Sequence, residues 1–424
     1  LSLKNIRKKI DEGVNLNLIT TDKFKSNLIS VYIVRPLLRS EVTKNALLPM
    51  VLKRGTKNYN TFVDIQKKLE DLFGANLSID VAKKGERQVI RFTLEGPNDK
   101  YVTINNLIGE MIKVLNEIIN NPLLVNGCFL DEYVNQEKEN LKKKIESRIN
   151  DKKTYSVDRC IEEMCKNERY SLYKHGYVED LKDIDSQTLY KHYLTVLKSS
   201  PIEVCVVGDI DTDTVTETFI ENFEIKRDKV IDIQRESVIK EIHTKNLVRE
   251  EMDINQGKLT LGFRTNIPYE DRLYEPLLVM SNILGGGPNS KLFMNVREKE
   301  SLAYYIYSRV LKYKSLLIIS SGIEFANYQK TLDIIKEQVE DMKLGKFSES
   351  EIEQSKKSLT TSIKSVKDNN FSLSDYYLSN ILANDNRDID EIIEIIQNVS
   401  KDEIVEAAKK LKLDTIYFLT KREK

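Results

Sequence analysis

Apolar and polar positions along the chain separate strands from helices. Residues 13–38 hold two apolar runs around the polar stretch TTDKFKSN, with Ile29, Val31 and Ile33 on one face, which predicts an opening β-hairpin. Residues 45–53 (NALLPMVLK) read as helix despite Pro49, with Gly55 and Thr56 as the stop. Residues 61–73 place Phe62, Ile65, Leu69, Leu72 and Phe73 at helical spacing, with Thr61 as N-cap and Gly74 as terminator. Strands follow at 77–81 and 88–94 around the turn KKGE, then an amphipathic helix over 101–119 and a long charged one over 130–149.

The second half repeats this order: strand 256–266, helices 275–284 and 290–298, strands 302–310 and 315–323, then two long helices. Around Phe129 and Phe347 the match is free of gaps. Gln136, Leu141 and Ile145 correspond to Gln354, Leu359 and Ile363, each 218 residues on. Each half closes with a helix and an apolar strand, IEVCVVG after Pro201 and DTIYFLT around Thr415. The expectation is an α+β fold of two similar domains, 1–228 and 229–424, each an antiparallel sheet packed with several helices and related by internal duplication. The joint falls near 223–245, a charged string without helical or strand pattern.

Composition narrows the function classes. Lys plus Arg and Asp plus Glu are both 66, so no net field favours nucleic acid or an anionic membrane. No apolar run approaches the roughly 18 to 20 residues that span a bilayer, and the first residues lack the apolar core of a signal peptide. Cys128, Cys160, Cys165 and Cys205 form no CxxC pair and read as reduced thiols, so the expected location is cytoplasmic.

Candidate chemistry concentrates in residues 284–307, LGGGPNSKLFMNVREKESLAYYIY. Gly285, Gly286, Gly287 and Pro288 force a loop after one helix. Arg297 then closes the next helix and Tyr304 opens a strand, so a guanidinium and a phenol from neighbouring elements could grip one carbonyl or carboxylate. On spacing alone a plainer reading fits as well, with Arg297 paired to a surface glutamate and Tyr304 a half-buried strand aromatic.

The strings LGGG, SKLF and VREKESLAY resemble the C-terminal-half signature of the insulinase/pitrilysin family of zinc peptidases, which includes mitochondrial processing peptidase and small bacterial relatives. The resemblance implies that Arg297 and Tyr304, seven residues apart, hold the substrate backbone near the scissile bond. It also implies two domains facing across a cleft, and a His-x-x-Glu-His zinc helix just before a Gly-Thr pair. Counting back from Gly55 and Thr56, the first His position is Ala46, the base is Pro49 and the second His is Met50. None supplies a suitable ligand. The distal ligand position falls on Glu137, read as solvated surface. His175, His192 and His243 share no helical face, and neither a P-loop nor G-x-S-x-G is present.

The resemblance therefore implies a non-catalytic subunit, with no metal or cofactor and no catalytic residue on this chain alone. It would pair with a zinc-bearing paralogue, or with itself as a dimer, and bind peptide in an enclosed chamber. The candidate peptide-pairing edge strand is at 77–81. The competing class is a standalone peptide-binding or scaffold protein, which would suit an accessory role in modification of elongation factor P.

Overall fold

The computed structural model describes residues 4–103, 106–223, 225–242 and 244–422. The chain opens with strands β1 (Lys4–Asp11), β2 (Val14–Thr20) and β3 (Ser26–Pro36), then helices α1 (Val42–Leu52) and α2 (Phe62–Asp71). Next come β4 (Asn76–Lys84), β5 (Arg87–Pro97), α3 (Leu107–Asn120), the short pair β6 (Leu124–Val125) and β7 (Cys128–Phe129), α4 (Asp131–Glu146), α5 (Lys152–Met164), α6 (Ser186–Ser199), β8 (Ile202–Gly208) and α7 (Thr212–Asn222). The second half runs β9 (Asn246–Met252), β10 (Gly257–Arg264), α8 (Tyr274–Gly285), a π-helical segment (Phe293–Lys299), β11 (Ala303–Leu311) and β12 (Leu316–Ile323). It ends with α9 (Tyr328–Lys343), α10 (Glu349–Lys364), α11 (Asn370–Ala383), α12 (Ile389–Asn398), α13 (Lys401–Lys409) and β13 (Lys412–Lys421).

The expected elements appear with local causes. Thr61 caps α2 through a reciprocal box with Asp64. The helix expected from 101 starts only at Leu107, where the Asn106 side chain accepts from the Gly109 amide at 3.2 Å. The stretch 225–242 carries no regular element among its described residues.

Two sheets form, ordered β1-β2-β8-β3-β5-β4 and β11-β12-β10-β13-β9. Both are mixed, which corrects the antiparallel expectation: β2 runs parallel to β8 and β9 parallel to β13. The opening hairpin is likewise β1 with β2, because β8 inserts between β2 and β3. Pairing β8 on both sides buries the whole of IEVCVVG, as expected for an apolar strand flanked by neighbours. The repeat is visible in the bounds: α4 and α10 start at 131 and 349 and end at 146 and 364, an offset of 218 at both ends.

The chain forms two compact units, and neither is one continuous stretch. The first comprises Leu1–Ser147, Leu172–Gln234 and Val366–Ser379; the second comprises Arg148–Ser171, Arg235–Ser365 and Asn380–Lys424. In the first unit Ile29, Val31 and Ile33 of β3 face the apolar core with α1 and α3, while the alternate residues meet α11. There Tyr32 and Ser374 hydroxyls lie 2.7 Å apart, Lys84 pairs with Asp375 at 2.8 Å, and the Arg91 guanidinium stacks on Phe371 at 4.4 Å. In the second unit Leu259, Leu261 and Phe263 of β10 face the core with α8 and α9, and α5 covers the opposite face. Gly262 permits that approach, since a Cβ would lie 2.7 Å from the Met164 sulfur.

Candidate functional site

The loop after α8 fixes where Arg297 and Tyr304 sit. Gly285 ends α8 against β11, where a Cβ would meet the Ser308 amide nitrogen at 2.5 Å, so only glycine allows the contact. Leu292 and Val296 then anchor the following turn in the core. That turn is π-helical over Phe293–Lys299, not the α-helix its spacing predicts. Asn295 holds it to α9 by donating to the Gln338 side chain at 2.9 Å. Arg297 points outward with its guanidinium 4.6 Å from the Phe293 ring centre, and it makes no ion pair among the described residues.

Tyr304 is reached through Ser301, whose φ of +53° turns the chain into β11. The pairing of β11 with β12 then slips: Ala303 faces Ile323 and Tyr305 faces Gly322, leaving Tyr304 as the extra residue of a bulge. Its side chain is 58% exposed, and its hydroxyl donates to the Glu324 carboxylate. That hydrogen bond, followed by the charge of Glu324, raises the phenol's pKa above its ordinary value. The plainer alternatives for both residues are not what is found. Glu324 itself carried no sequence signal, because it lies one residue past a strand with no motif around it.

The positions Ala46, Pro49 and Met50 lie on α1, where Ala46 belongs to the core of the first unit and Met50 packs against it. Neighbouring Asn45 donates to Gln88 at 2.9 Å, and its carbonyl oxygen lies 2.7 Å from His192 Nε2. Burial lowers His192 to a pKa of about 4, so the ring is neutral and donates to that oxygen. His175 is buried with Nδ1 3.0 Å from the Tyr173 hydroxyl, and His243 lies outside the described residues.

Glu137 is only 2% exposed, which corrects the solvated-surface expectation. The physical reason is that α4 packs on α1, and Arg54, just past α1, brings a compensating charge to 3.6 Å. Asn140 also donates to Glu137 at 3.2 Å, and Arg54 stacks over Tyr133 at 4.9 Å. Gly55 and Thr56 close this corner, with the Gly55 carbonyl accepting from Leu123 at 3.1 Å. The residues present do not fit zinc. Alanine and proline side chains have no donor atom, the thioether is a poor ligand, and the one carboxylate faces a guanidinium. Among the described residues no group of three or more His, Cys, Asp or Glu side chains could hold a metal ion. All four cysteines are free thiols, and no described helix is long and apolar enough to cross a membrane.

Comparison with known proteins gives a consistent result. The family described as peptidase M16 inactive domain matches residues 183–359. The Bacillus subtilis (strain 168) protein named "Probable inactive metalloprotease YmfF" is 38% identical over 420 residues, covering 99% of this chain and 98% of that one. A second protein of that strain, "Uncharacterized zinc protease YmxG", is 27% identical over 56% of this chain and 57% of its own length. The crystal structure of a conserved protein from Enterococcus faecalis V583 superposes with a TM-score of 0.90 at 31% identity, over 99% of both chains.

Proposed function

The chain belongs to the M16 (insulinase/pitrilysin) peptidase family, as a metalloprotease homologue of the inactive type, and on that footing we propose that it serves as the peptide-gripping partner of a zinc-bearing paralogue. One observation carries the proposal. Arg297 and Tyr304 each sit on a local irregularity, a π-helical segment and an edge bulge, and both side chains remain exposed. Departures of this kind cost regular hydrogen bonding and recur where a side chain must be aimed.

Arg297 offers a planar fork of donors to a substrate carbonyl, and Tyr304 offers its hydroxyl to an oxyanion developing at the partner's site. In the free chain Glu324 occupies that hydroxyl, so Tyr304 must exchange this acceptor for the substrate. An extended peptide also needs main-chain partners, and the paralogue's strand equivalent to edge strand β4, which here contains the 77–81 segment, would supply them. The partner supplies what α1 lacks: two imidazoles, a general base and zinc. Bacillus subtilis, which holds both the inactive-type relative and a protein named as a zinc protease, supports the pairing of such chains.

The test is reconstitution with a co-encoded zinc-bearing paralogue and measurement of peptide cleavage. The mixture is expected to cleave faster than the paralogue alone, and Arg297→Ala is expected to lower that rate by more than about tenfold, judged against the roughly 100- to 1,000-fold cost of losing one oxyanion donor. Cleavage by the paralogue that ignores this chain would overturn the pairing and leave the standalone scaffold reading in its place.

A further inference from the structure

The duplicated halves differ at one sheet edge. In the first sheet β2 is covered by β1 through a tight hairpin. In the second, β9 holds the place of β2, running parallel to β13 as β2 runs parallel to β8. Among the described residues no strand pairs with the other side of β9. A bare strand edge is a template for another chain, and proteins commonly blunt it with lysines, proline or a bulge. Two of the other edges carry such devices: β1 has Lys8, Lys9 and a register shift, and β11 carries the Tyr304 bulge. The sequence of β9, NLVREEM, contains no Lys or Pro, and its register with β13 is unbroken. Its outer face shows Leu247, Arg249 and Glu251, with Leu247 67% exposed, while Val248 and Met252 pack toward Cys160 and Tyr417.

We propose that β9 pairs antiparallel with β9 of a second copy of this chain, about a two-fold axis through Glu250. Residues directly opposite in such a pair share a sheet face, which restricts the choice of register. With Glu250 on the axis, Arg249 stands opposite Glu251 of the second copy, and the symmetry makes that contact twice. Val248 then stands opposite Met252, continuing the apolar strip over α5. Centring on Arg249 instead sets arginine against arginine. The two Glu250 carboxylates that meet on the axis are already held: Arg159 donates at 3.0 Å, Tyr155 at 2.7 Å and Tyr417 at 2.8 Å within each copy. This identifies the second copy, through charge complementarity, as the occupant. The edge used is the far one from Tyr304, so self-pairing leaves β11 open. With the axis at Glu250 only Val248–Met252 of each strand pair, five residues that bury less than the roughly 1,200 Å² of stable interfaces, so the dimer is weak and depends on concentration.

The experiment is sedimentation equilibrium of the full chain from micromolar to near-millimolar concentration, with circular dichroism of each variant to confirm folding. The natural chain is expected to show a monomer–dimer equilibrium. Arg249→Glu and, separately, Glu251→Arg each set two like-charge pairs across the strands and raise the dissociation constant about tenfold. The double variant Arg249→Glu/Glu251→Arg restores opposite charges and returns dimerisation to within about threefold of the natural chain. Monomer at every concentration, a dimer indifferent to both single substitutions, or a folded double variant that stays dissociated would each overturn the proposal.

Discussion

Glu168 should be the most sensitive charged position in the second unit. It follows α5 and joins two cations of that unit: Arg264 of β10 at 2.6 Å and Lys314, after β11, at 2.6 Å. Arg264 also pairs with Asp414 at 3.0 Å and donates to the Met164 carbonyl at 2.8 Å. The cluster balances two cations with two anions, and the Arg264 and Lys314 side chains are almost wholly buried. Glu168→Gln conserves volume but leaves one buried positive charge in excess, and breaking a buried pair in this way costs about 3 to 5 kcal/mol. Burial pushes the Glu168 carboxyl up, yet the hydrogen bonds and charges of Arg264 and Lys314 outweigh it and hold it below its ordinary value. A depressed folded value means the stabilisation is present above the unfolded pKa of about 4.3 and is lost as pH falls through the folded one. The assay is hydrogen exchange of β10 amides with urea titration, because two compact units make a single global transition a poor measure. The variant should exchange far faster at pH 7 and show a flatter decline below pH 4.5 or so. Adding Lys314→Met should recover part of the loss, since it removes the excess charge. A loss under about 1 kcal/mol, equal to that of an exposed pair, would refute the reasoning.

Three other outcomes follow from the site and the core. His192, lowered by burial to about 4 from an ordinary 6.5, binds its proton more readily in the unfolded chain; stability should be full above about pH 6.5 and fall by about 3 kcal/mol as pH drops toward 4, and His192→Gln should flatten that slope in urea midpoints. Glu324→Gln should bring the Tyr304 phenol back toward its ordinary pKa, read by NMR of labelled tyrosine, with no change if the hydroxyl has another acceptor. Introducing Ala46→His, Pro49→Glu and Met50→His should give only weak zinc binding while Arg54 faces Glu137, and adding Arg54→Met should tighten it by at least about tenfold in calorimetry. Equal affinity with and without Arg54 would mean its charge does not act at that corner.

How much was legible depended on whether a feature was local. The helices α4 and α10 were readable because an amphipathic helix writes its own signal, and the offset of 218 recurs in their observed ends. Capping at Thr61 was readable for the same reason. Strand β1 was missed because KNIRKKID packs one side only and shows few apolar residues. The parallel pairs were missed because strand order is decided by residues nearly 200 positions apart, as where Val14 meets Ile202. Glu137 was misplaced because the compensating guanidinium comes from another helix's end, and a residue's own neighbours cannot report it.

The candidate clamp fell between these cases. Motif spacing singled out Arg297 and Tyr304, but periodicity assigned them to a regular helix and strand. The actual π-helical segment and bulge are breaks in periodicity, which a search for periodicity must smooth over. Breaks of this kind cost backbone hydrogen bonds, and the surrounding contacts have to sustain them: Asn295 on Gln338 for the first, the Ser301 turn and Glu324 for the second. On the reading proposed above, that support is what aims the two side chains at a peptide. Ala46, Pro49 and Met50 differ in their surroundings: they lie on a helix packed with the apolar core of the first unit, and their side chains offer no ligand suited to zinc.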